Sequence, residues 1–272
     1  MIPKIIHYCW FGGNPLPELS QKCIASWKKY CPDYEIKEWN ENNFDLNGCA
    51  FVKEAYEAKK WAFVSDFARL KIIYEEGGIY LDTDVEILKS FDTLLANKCF
   101  LGEETSGFVA TGLGFGAEKY NPIIKELLEM YIGKHFKLED GLFDMMPCPR
   151  KNTEPLHKYG YKFSGTKIWS IESVVVYPPE FFCPLNYETG EMCLTDRTYS
   201  IHLYNASWHT RLDSLMATIE RCDKEKHPTS YRLRRIVSFP FRVINKIKKI
   251  GVHRTLQVIK NRLNDSISLL LK

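Results

Sequence analysis

The run Glu75-Glu76-Gly77-Gly78-Ile79-Tyr80-Leu81-Asp82-Thr83-Asp84-Val85 constrains this chain more than any other stretch. Gly77 and Gly78 can stop a helix with positive-φ residues. Ile79 to Leu81 then read as a short buried strand. On an extended backbone, residues two apart point to the same side, so the carboxylates of Asp82 and Asp84 converge on one cation. Two hard oxygen ligands suit Mg²⁺ or Mn²⁺, which bind through few carboxylates and draw further ligands from phosphates. Asp-x-Asp alone is a weak signal, because aspartate favours solvated turns. Two close acids also repel and raise each other's pKa unless a cation neutralises them. A helix, a double glycine, a buried strand and paired acids together describe the end of a sheet built to hold a charged ligand.

The surrounding pattern supplies the sheet. Ile2 to Trp10 predicts a strand ending in the turn Phe11-Gly12-Gly13-Asn14-Pro15, then a helix over Pro17 to Tyr30 and a second strand over Tyr34 to Trp39. That βαβ opening implies a parallel sheet with helical cover, hence an α/β class. Phe51 to Lys59 and Ala62 to Glu76 read as helices, the latter burying Phe67, Leu70 and Tyr74. Val85 to Leu88 alternates as an edge or ribbon strand, and Cys99 to Gly102 and Gly112 to Gly116 are short strands. Asn121 to Tyr131 is a helix with Pro122 at its start. Trp169 to Tyr177 and Tyr199 to Tyr204 are strands. Residues 138–170 carry no clear period.

At 272 residues, of which 45% are hydrophobic, the chain can build one α/β domain with a small appendage. No apolar run is long enough to span a bilayer, and no signal-peptide pattern opens the chain. The nine cysteines include no close Cys-x-x-Cys pair, which reads as buried free thiols in a reducing, cytoplasmic setting. Charge is divided unevenly. Residues 231–272 hold eleven Lys and Arg against Asp265 alone, a net +10, so the overall +3 leaves −7 on the 230 residues before them. We therefore expect a domain over residues 1–222 and a basic amphipathic helical tail over residues 223–272, which Pro240 breaks into at least two helices. Basic charge interleaved with Ile236, Val237, Phe239 and Phe241 suits an anionic membrane surface, at the inner face of the plasma membrane. No nucleic-acid motif accompanies the charge, so nucleic acid is not expected as a partner.

Ser65-Asp66-Phe67-Ala68-Arg69, with Gly77 to Asp84 behind it, resembles the core of the Asp-x-Asp sugar-transferase family. That family contains yeast initiating α-mannosyltransferases and bacterial capsule and O-antigen enzymes. Ile2 to Gly13 is similar to the family's first strand and loop, and to those of the distantly related clostridial glucosylating toxins. Ile201-His202-Leu203-Tyr204-Asn205-Ala206-Ser207-Trp208 is similar to its closing His…Ser-Trp element. The resemblance spans residues 2–210, with the motifs in the family's order. It implies a GT-A fold, a retaining reaction, Mn²⁺ or Mg²⁺ as cofactor, and a nucleotide-sugar donor. A UDP-sugar is favoured by the Trp10 loop, and GDP-mannose stays open through the yeast relatives. The transferred group would be a hexose or N-acetylhexosamine, and the acceptor a saccharide carried on a lipid.

The resemblance also distributes roles. Asp84 is the direct metal ligand, and Asp82 binds ribose and, through water, the metal. Tyr80 and Thr83 belong to the donor site with them. Asp66 and Arg69, three apart on a helix, form either an ordinary ion pair or, aimed at the strand end, bidentate partners for sugar hydroxyls. Trp10 is either a core residue or the aromatic on which the base stacks, with the backbone of His7, Tyr8 and Trp10 along the base edge. His202 is a structural strand histidine or a third metal ligand. Ser207 and Trp208 close over the diphosphate. The family's Thr-Gly-Pro element is missing between Gly133 and Glu172, so the acceptor side has no assigned residues. Two other classes compete. Leu81 to Val85 also fits the nucleophile loop of a haloacid-dehalogenase-like phosphatase, with Asp82 phosphorylated. A non-catalytic nucleotide-sugar binder is the other.

Overall fold

The computed structural model describes residues 1–187, 189–205 and 228–250. The chain divides into two compact units, one of Met1–Asn186 with Glu191–Asn205, the other containing the C-terminal helix.

The first unit is mixed α/β, as expected. Its strands are β1 (Ile5–Cys9), β2 (Glu35–Trp39), β3 (Gly78–Tyr80), β4 (Val85–Ile87), β5 (Cys99–Gly102), β6 (Phe115–Ala117), β7 (Trp169–Ile171), β8 (Val174–Tyr177) and β9 (Ser200–His202). Helices α1 (Glu18–Tyr30), α2 (Ala50–Glu57), α3 (Trp61–Glu76), α4 (Pro122–Glu129) and α5 (Cys148–Thr153) connect them. Seven strands form one sheet in the order β2-β1-β3-β6-β5-β8-β7. β1 pairs parallel with both β2 and β3, and β6 is antiparallel to β3 and β5. β4 and β9 form a separate antiparallel ribbon.

Alternation along the strands divides the core in two. Ile6, Ile79 and Phe100 face a cluster with Ile24 and Trp27 of α1. Cys9, Tyr80 and Leu101 face a cluster with residues of α2, α3 and α4. Helices thus cover both faces, which buries the short, apolar β3 completely. All eight described cysteines are free thiols, and seven are buried.

Three expectations change. Trp169 to Tyr177 is a hairpin, β7 paired antiparallel to β8, because Glu172 and Ser173 make the turn between them. Residues 138–170, unreadable from periodicity, contain α5. In the second unit, α6 (Pro228–Ile250) continues through Pro240. A proline removes one hydrogen bond to the carbonyl four residues earlier, here that of Ile236. Ile236 is 69% exposed, so water can take the freed carbonyl.

His7 shows how the sheet fixes β1. Trp39 Nε1 donates to His7 Nδ1 at 3.0 Å, so Nε2 carries the proton and lies 2.9 Å from the Gly77 carbonyl. Burial pushes the His7 pKa down to about 4. The folded state therefore binds less proton than the unfolded chain between pH ~6.5 and ~4. Stability is complete above that window and is lost as pH falls through it, by on the order of 3 kcal/mol. Urea unfolding at pH 7 and pH 4.5 should show that loss in wild type and a shallower one in His7→Gln. Equal slopes in the two proteins would remove His7 as the cause.

Candidate active site

Helix α3 delivers Asp66 and Arg69 and stops at Gly77 (φ 69°) and Gly78 (φ 99°). The second glycine is required by close approach. A Cβ there would lie 2.8 Å from the Ile5 carbonyl and 2.9 Å from His7 Nε2. The chain enters β3, the Leu81 N–H donates to the His7 carbonyl at 3.0 Å, and then it turns. The Val85 N–H donates to the Asp82 carbonyl at 3.0 Å. Asp82 and Asp84 therefore sit in a turn between the large sheet and the ribbon, not on an extended strand. Their convergence comes from that turn rather than from strand alternation.

Arg69 ties two acids and an aromatic ring together. Its Nη2 lies 3.1 Å from Asp66 Oδ1 and 3.2 Å from Asp82 Oδ1, its Nε donates to the Ser65 carbonyl, and its guanidinium lies 5.1 Å from the Tyr80 ring centroid. The Tyr80 hydroxyl donates to Asp82 Oδ1 at 3.1 Å. The expected intrahelical pair exists, and Arg69 extends it to Asp82. With 4% of its surface exposed, Arg69 anchors carboxylates rather than presenting itself to solvent. Burial pushes the Asp66 carboxyl up to about 6, Asp82 adding to the rise and Arg69 opposing it. Asp82 is raised for the same reason, burial first, with Asp84 reinforcing it against Arg69. Arg69→Ala would leave both acids without their cation and should cost about 3 kcal/mol of stability. Denaturant unfolding measures it, and an unchanged midpoint would mean that the pairs contribute nothing.

The ribbon brings in the third partner. Pairing of β4 with β9 sets Val85 opposite His202. His202 Nε2 lies 3.2 Å from Asp84 Oδ1, and the Asn205 N–H donates to Asp84 Oδ2 at 2.8 Å. The Leu203 N–H donates to the Asp84 carbonyl at 3.0 Å. Tyr204 makes this wrap feasible. It adopts φ 51°, packs edge-on to the His202 ring at 4.3 Å, and its hydroxyl meets Cys183 Sγ at 2.9 Å. Burial favours neutral Asp84 and neutral His202, yet their mutual attraction prevails and holds Asp84 below, and His202 above, their ordinary values.

One ligand atom from each of Asp82, Asp84 and His202 falls within 4.8 Å of the others. Two carboxylate oxygens and an imidazole nitrogen form a donor set that fits a divalent cation. The nitrogen suits Mn²⁺ better than Mg²⁺, which prefers oxygen throughout. The electrostatics agree with the geometry, since a cation would offset the burial and the nearby Asp84 charge that raise Asp82. Arg69 and Tyr80 hold Asp82 Oδ1, which leaves Oδ2 as the oxygen that can meet a ligand.

Other expected residues lie elsewhere. The His7 side chain is buried, with both ring nitrogens bonded, and its carbonyl accepts from Leu81. Tyr8 packs against Trp27 at 5.7 Å and donates to Glu38. The Trp10 N–H donates to the Trp39 carbonyl. The His7 carbonyl and the Trp10 N–H are thus taken up by the sheet. The Trp10 ring is half-buried, with Nε1 bonded to the Asn14 carbonyl. Thr83 is half-buried in the turn. Ser207 and Trp208 lie outside the described residues.

Three features escaped the sequence reading. Gly112 abuts the acids, and a Cβ there would lie 2.4 Å from Asp82 Oδ2 and 3.1 Å from Arg69 Nη1. The next residue back, Thr111, accepts from Asn152 Nδ2 at 3.0 Å and meets Cys148 Sγ at 3.7 Å, so α5 walls this side. Beyond β1 and β2, a cavity of about 500 Å³ is lined by Gly12, Gly13, Asn14, Glu41, Tyr56, Lys59 and Trp61. In open α/β sheets, ligands bind outside the carboxyl ends of parallel strands.

Residues 17–101, from α1 to β5, match the family described as a glycosyltransferase sugar-binding region containing a DXD motif. Within that span lie Asp66, Arg69, Asp82 and Asp84. Residues 17–101 therefore resemble a DXD-type glycosyltransferase region. Inositol phosphoceramide mannosyltransferase 1 of Schizosaccharomyces pombe is 24% identical over 234 residues, covering 82% of this chain and 67% of its own length. An uncharacterized glycosyltransferase of Acanthamoeba polyphaga mimivirus is 26% identical over 219 residues, or 75% of this chain and 76% of its own. Among solved structures, the PaToxG glycosyltransferase is similar over 58% of this chain and 70% of its own, at a TM-score of 0.45 and 19% identity.

Proposed function

We propose that this chain moves a hexosyl or N-acetylhexosaminyl group from a nucleotide sugar to a saccharide acceptor with retention at the anomeric carbon. The observation that carries the reading is the convergence of Asp82, Asp84 and His202 beside the Asp66–Arg69 pair. A divalent cation held by the three ligands, Mn²⁺ in preference to Mg²⁺, supplies positive charge against the departing diphosphate. Arg69 keeps Asp82 ionised and oriented, and Tyr80 fixes its rotamer. Asp66 offers a carboxylate to sugar hydroxyls on the same side. No carboxylate is assigned as an enzymic nucleophile, so a front-face displacement, in which the leaving phosphate accepts the acceptor's proton, asks least of the side chains. The cavity beside Glu41, Tyr56 and Trp61 suits the nucleotide base at the strand ends. Its aromatic rings favour stacking on any base, leaving UDP-sugars and GDP-mannose as the leading donors.

A thermal-shift series of UDP- and GDP-sugars with Mn²⁺ tests this. The right donor at ~100 times its dissociation constant should add ~2.7 kcal/mol of stability, and chelator should erase the gain. No response to any nucleotide sugar with metal would overturn the assignment.

The acceptor is proposed to be lipid-linked, as the name of the fission-yeast relative suggests for that protein. No described helix is long and apolar enough to cross a membrane. Helix α6 instead exposes Leu233, Ile236, Val237 and Ile244 along one stripe, with Arg235 and Arg242 opposite. Such a helix lies in the plane of an anionic interface. Deleting residues 231–272 should release the protein from anionic vesicles in co-sedimentation, and equal sedimentation would withdraw the membrane role.

A further inference from the structure

The segment between α4 and α5 is apolar where surface loops are ordinarily polar. Leu138, Phe143, Met145 and Met146 are each between 38% and 45% exposed. The segment is nevertheless well held. Leu138 N–H donates to the Leu142 carbonyl and Asp144 N–H to the Phe136 carbonyl, both at 2.7 Å. The Asp144 carboxylate accepts from Lys151 Nζ at 2.8 Å and from the Met146 N–H at 3.0 Å. Phe143 stacks on buried Phe136 at 5.1 Å and 15°. Four large apolar side chains left partly exposed on a hydrogen-bonded hairpin form a surface suited to an apolar partner.

Chain continuity says where that partner comes from. Met146 is followed by Pro147 and then α5, whose Cys148 and Asn152 stand on Thr111, next to Gly112 and the Asp82 carboxylate. Along the chain, this apolar segment thus adjoins the helix that walls the site. Charge decides between a bilayer and a single chain. With Asp144 paired to Lys151, the hairpin still carries Glu139 and Asp140 against Lys137, which gives an anionic surface nothing to attract. Methionine, unbranched and polarizable, adapts to a flexible hydrocarbon.

We propose that Phe143, Met145 and Met146 seat the hydrocarbon chain of an amphiphilic acceptor whose saccharide head lies toward Thr111 and Asp66. The proposal rests on the glycosyltransferase reading and names the class of its acceptor.

The test uses the full chain and dodecyl maltoside, kept below its micelle concentration, against maltose, both titrated by calorimetry without donor. Wild type should bind the dodecyl compound on the order of tenfold more tightly, which burial of about two methylene groups supplies. The triple variant Phe143→Ser, Met145→Ser, Met146→Ser should lose that preference while keeping the wild-type rise in Tm with Mn²⁺. Met145→Gln, which preserves side-chain length, should lose part of it and guards against a triple variant that does not fold. Equal binding of both sugars by wild type, or full preference in the variants, would overturn the proposal. So would sedimentation with neutral vesicles that the variants abolish in the absence of any chain preference, since the rim would then serve a bilayer. Because the preference is read without donor, it is decided separately from the nucleotide-sugar series.

Discussion

Asp84→Ala should abolish transfer, lowering kcat by at least roughly a thousandfold, while the protein stays folded. Asp84 is where three separate parts of the first unit meet: the turn after β3, His202 on β9, and the Asn205 amide. Its removal takes away a metal ligand and the partner that orients another. The fold should survive, because Asp84 lies in a half-buried turn outside both apolar clusters. Losing the His202 contact and the Asn205 bond should cost on the order of 1–3 kcal/mol. Asp84→Asn preserves an acceptor for Asn205 but not the charge, and should be nearly as inactive. Chelation of wild type should reproduce the loss and added Mn²⁺ should reverse it. Full activity in chelator would end the metal reading whatever the mutants do.

The second large effect is expected from a single methyl group. Gly112→Ala would put a Cβ 2.4 Å from Asp82 Oδ2, a separation that real carbon and oxygen atoms do not tolerate. Asp82 cannot step aside freely, because its other oxygen is held by Arg69 and Tyr80. Either the carboxylate turns and breaks those contacts or the Gly112 backbone retreats. A displacement of about 1 Å in a positioned group costs on the order of a hundredfold in rate. Stability should fall by about 1–3 kcal/mol, as for other overpacked sites. Mn²⁺ affinity should weaken in parallel, and that measurement separates a displaced ligand from a general loss of fold. Activity within twofold of wild type would show that the close approach is incidental.

The difference between Asp84 and Gly112 explains what the sequence could reveal. Asp84, Asp66, Arg69 and His202 are chemically distinctive, and their neighbours follow local rules: a helix stopped by two glycines, a buried apolar triplet, an alternating ribbon strand. Gly112 has no chemistry of its own. Its importance lies in the carboxylate it faces from the turn before β6, and no local pattern encodes such a contact. Trp61 and the α5 residues Cys148 and Asn152 were hidden for the same reason, since α5 follows a stretch without a period. The paired acids were recognised correctly as a unit but placed on an extended strand. Only the Val85-to-Asp82 hydrogen bond reveals the turn. The surroundings of the His7 and Tyr8 side chains were hidden as well, because β1 is a central parallel strand whose partners, β2 and β3, come from distant segments. Pro240 was read by rule, whereas the helix passes through it on a stretch where Ile236 is exposed.

The two-stranded ribbon also sets a clock. Every strand of the seven-stranded sheet is complete by Tyr177, whereas β9 begins at Ser200. A chain emerging from the ribosome folds its N-terminal part first. The body can therefore close around α3 and present Asp82 and Asp84 before His202 exists to join them. Until that late strand docks, the nascent polypeptide has two acids with no imidazole beside them, and correspondingly poor hold on a cation. The two acids are thus synthesised and framed by their sheet well before the imidazole that joins them, so a product ending before Ser200 should hold Mn²⁺ more weakly than the full chain.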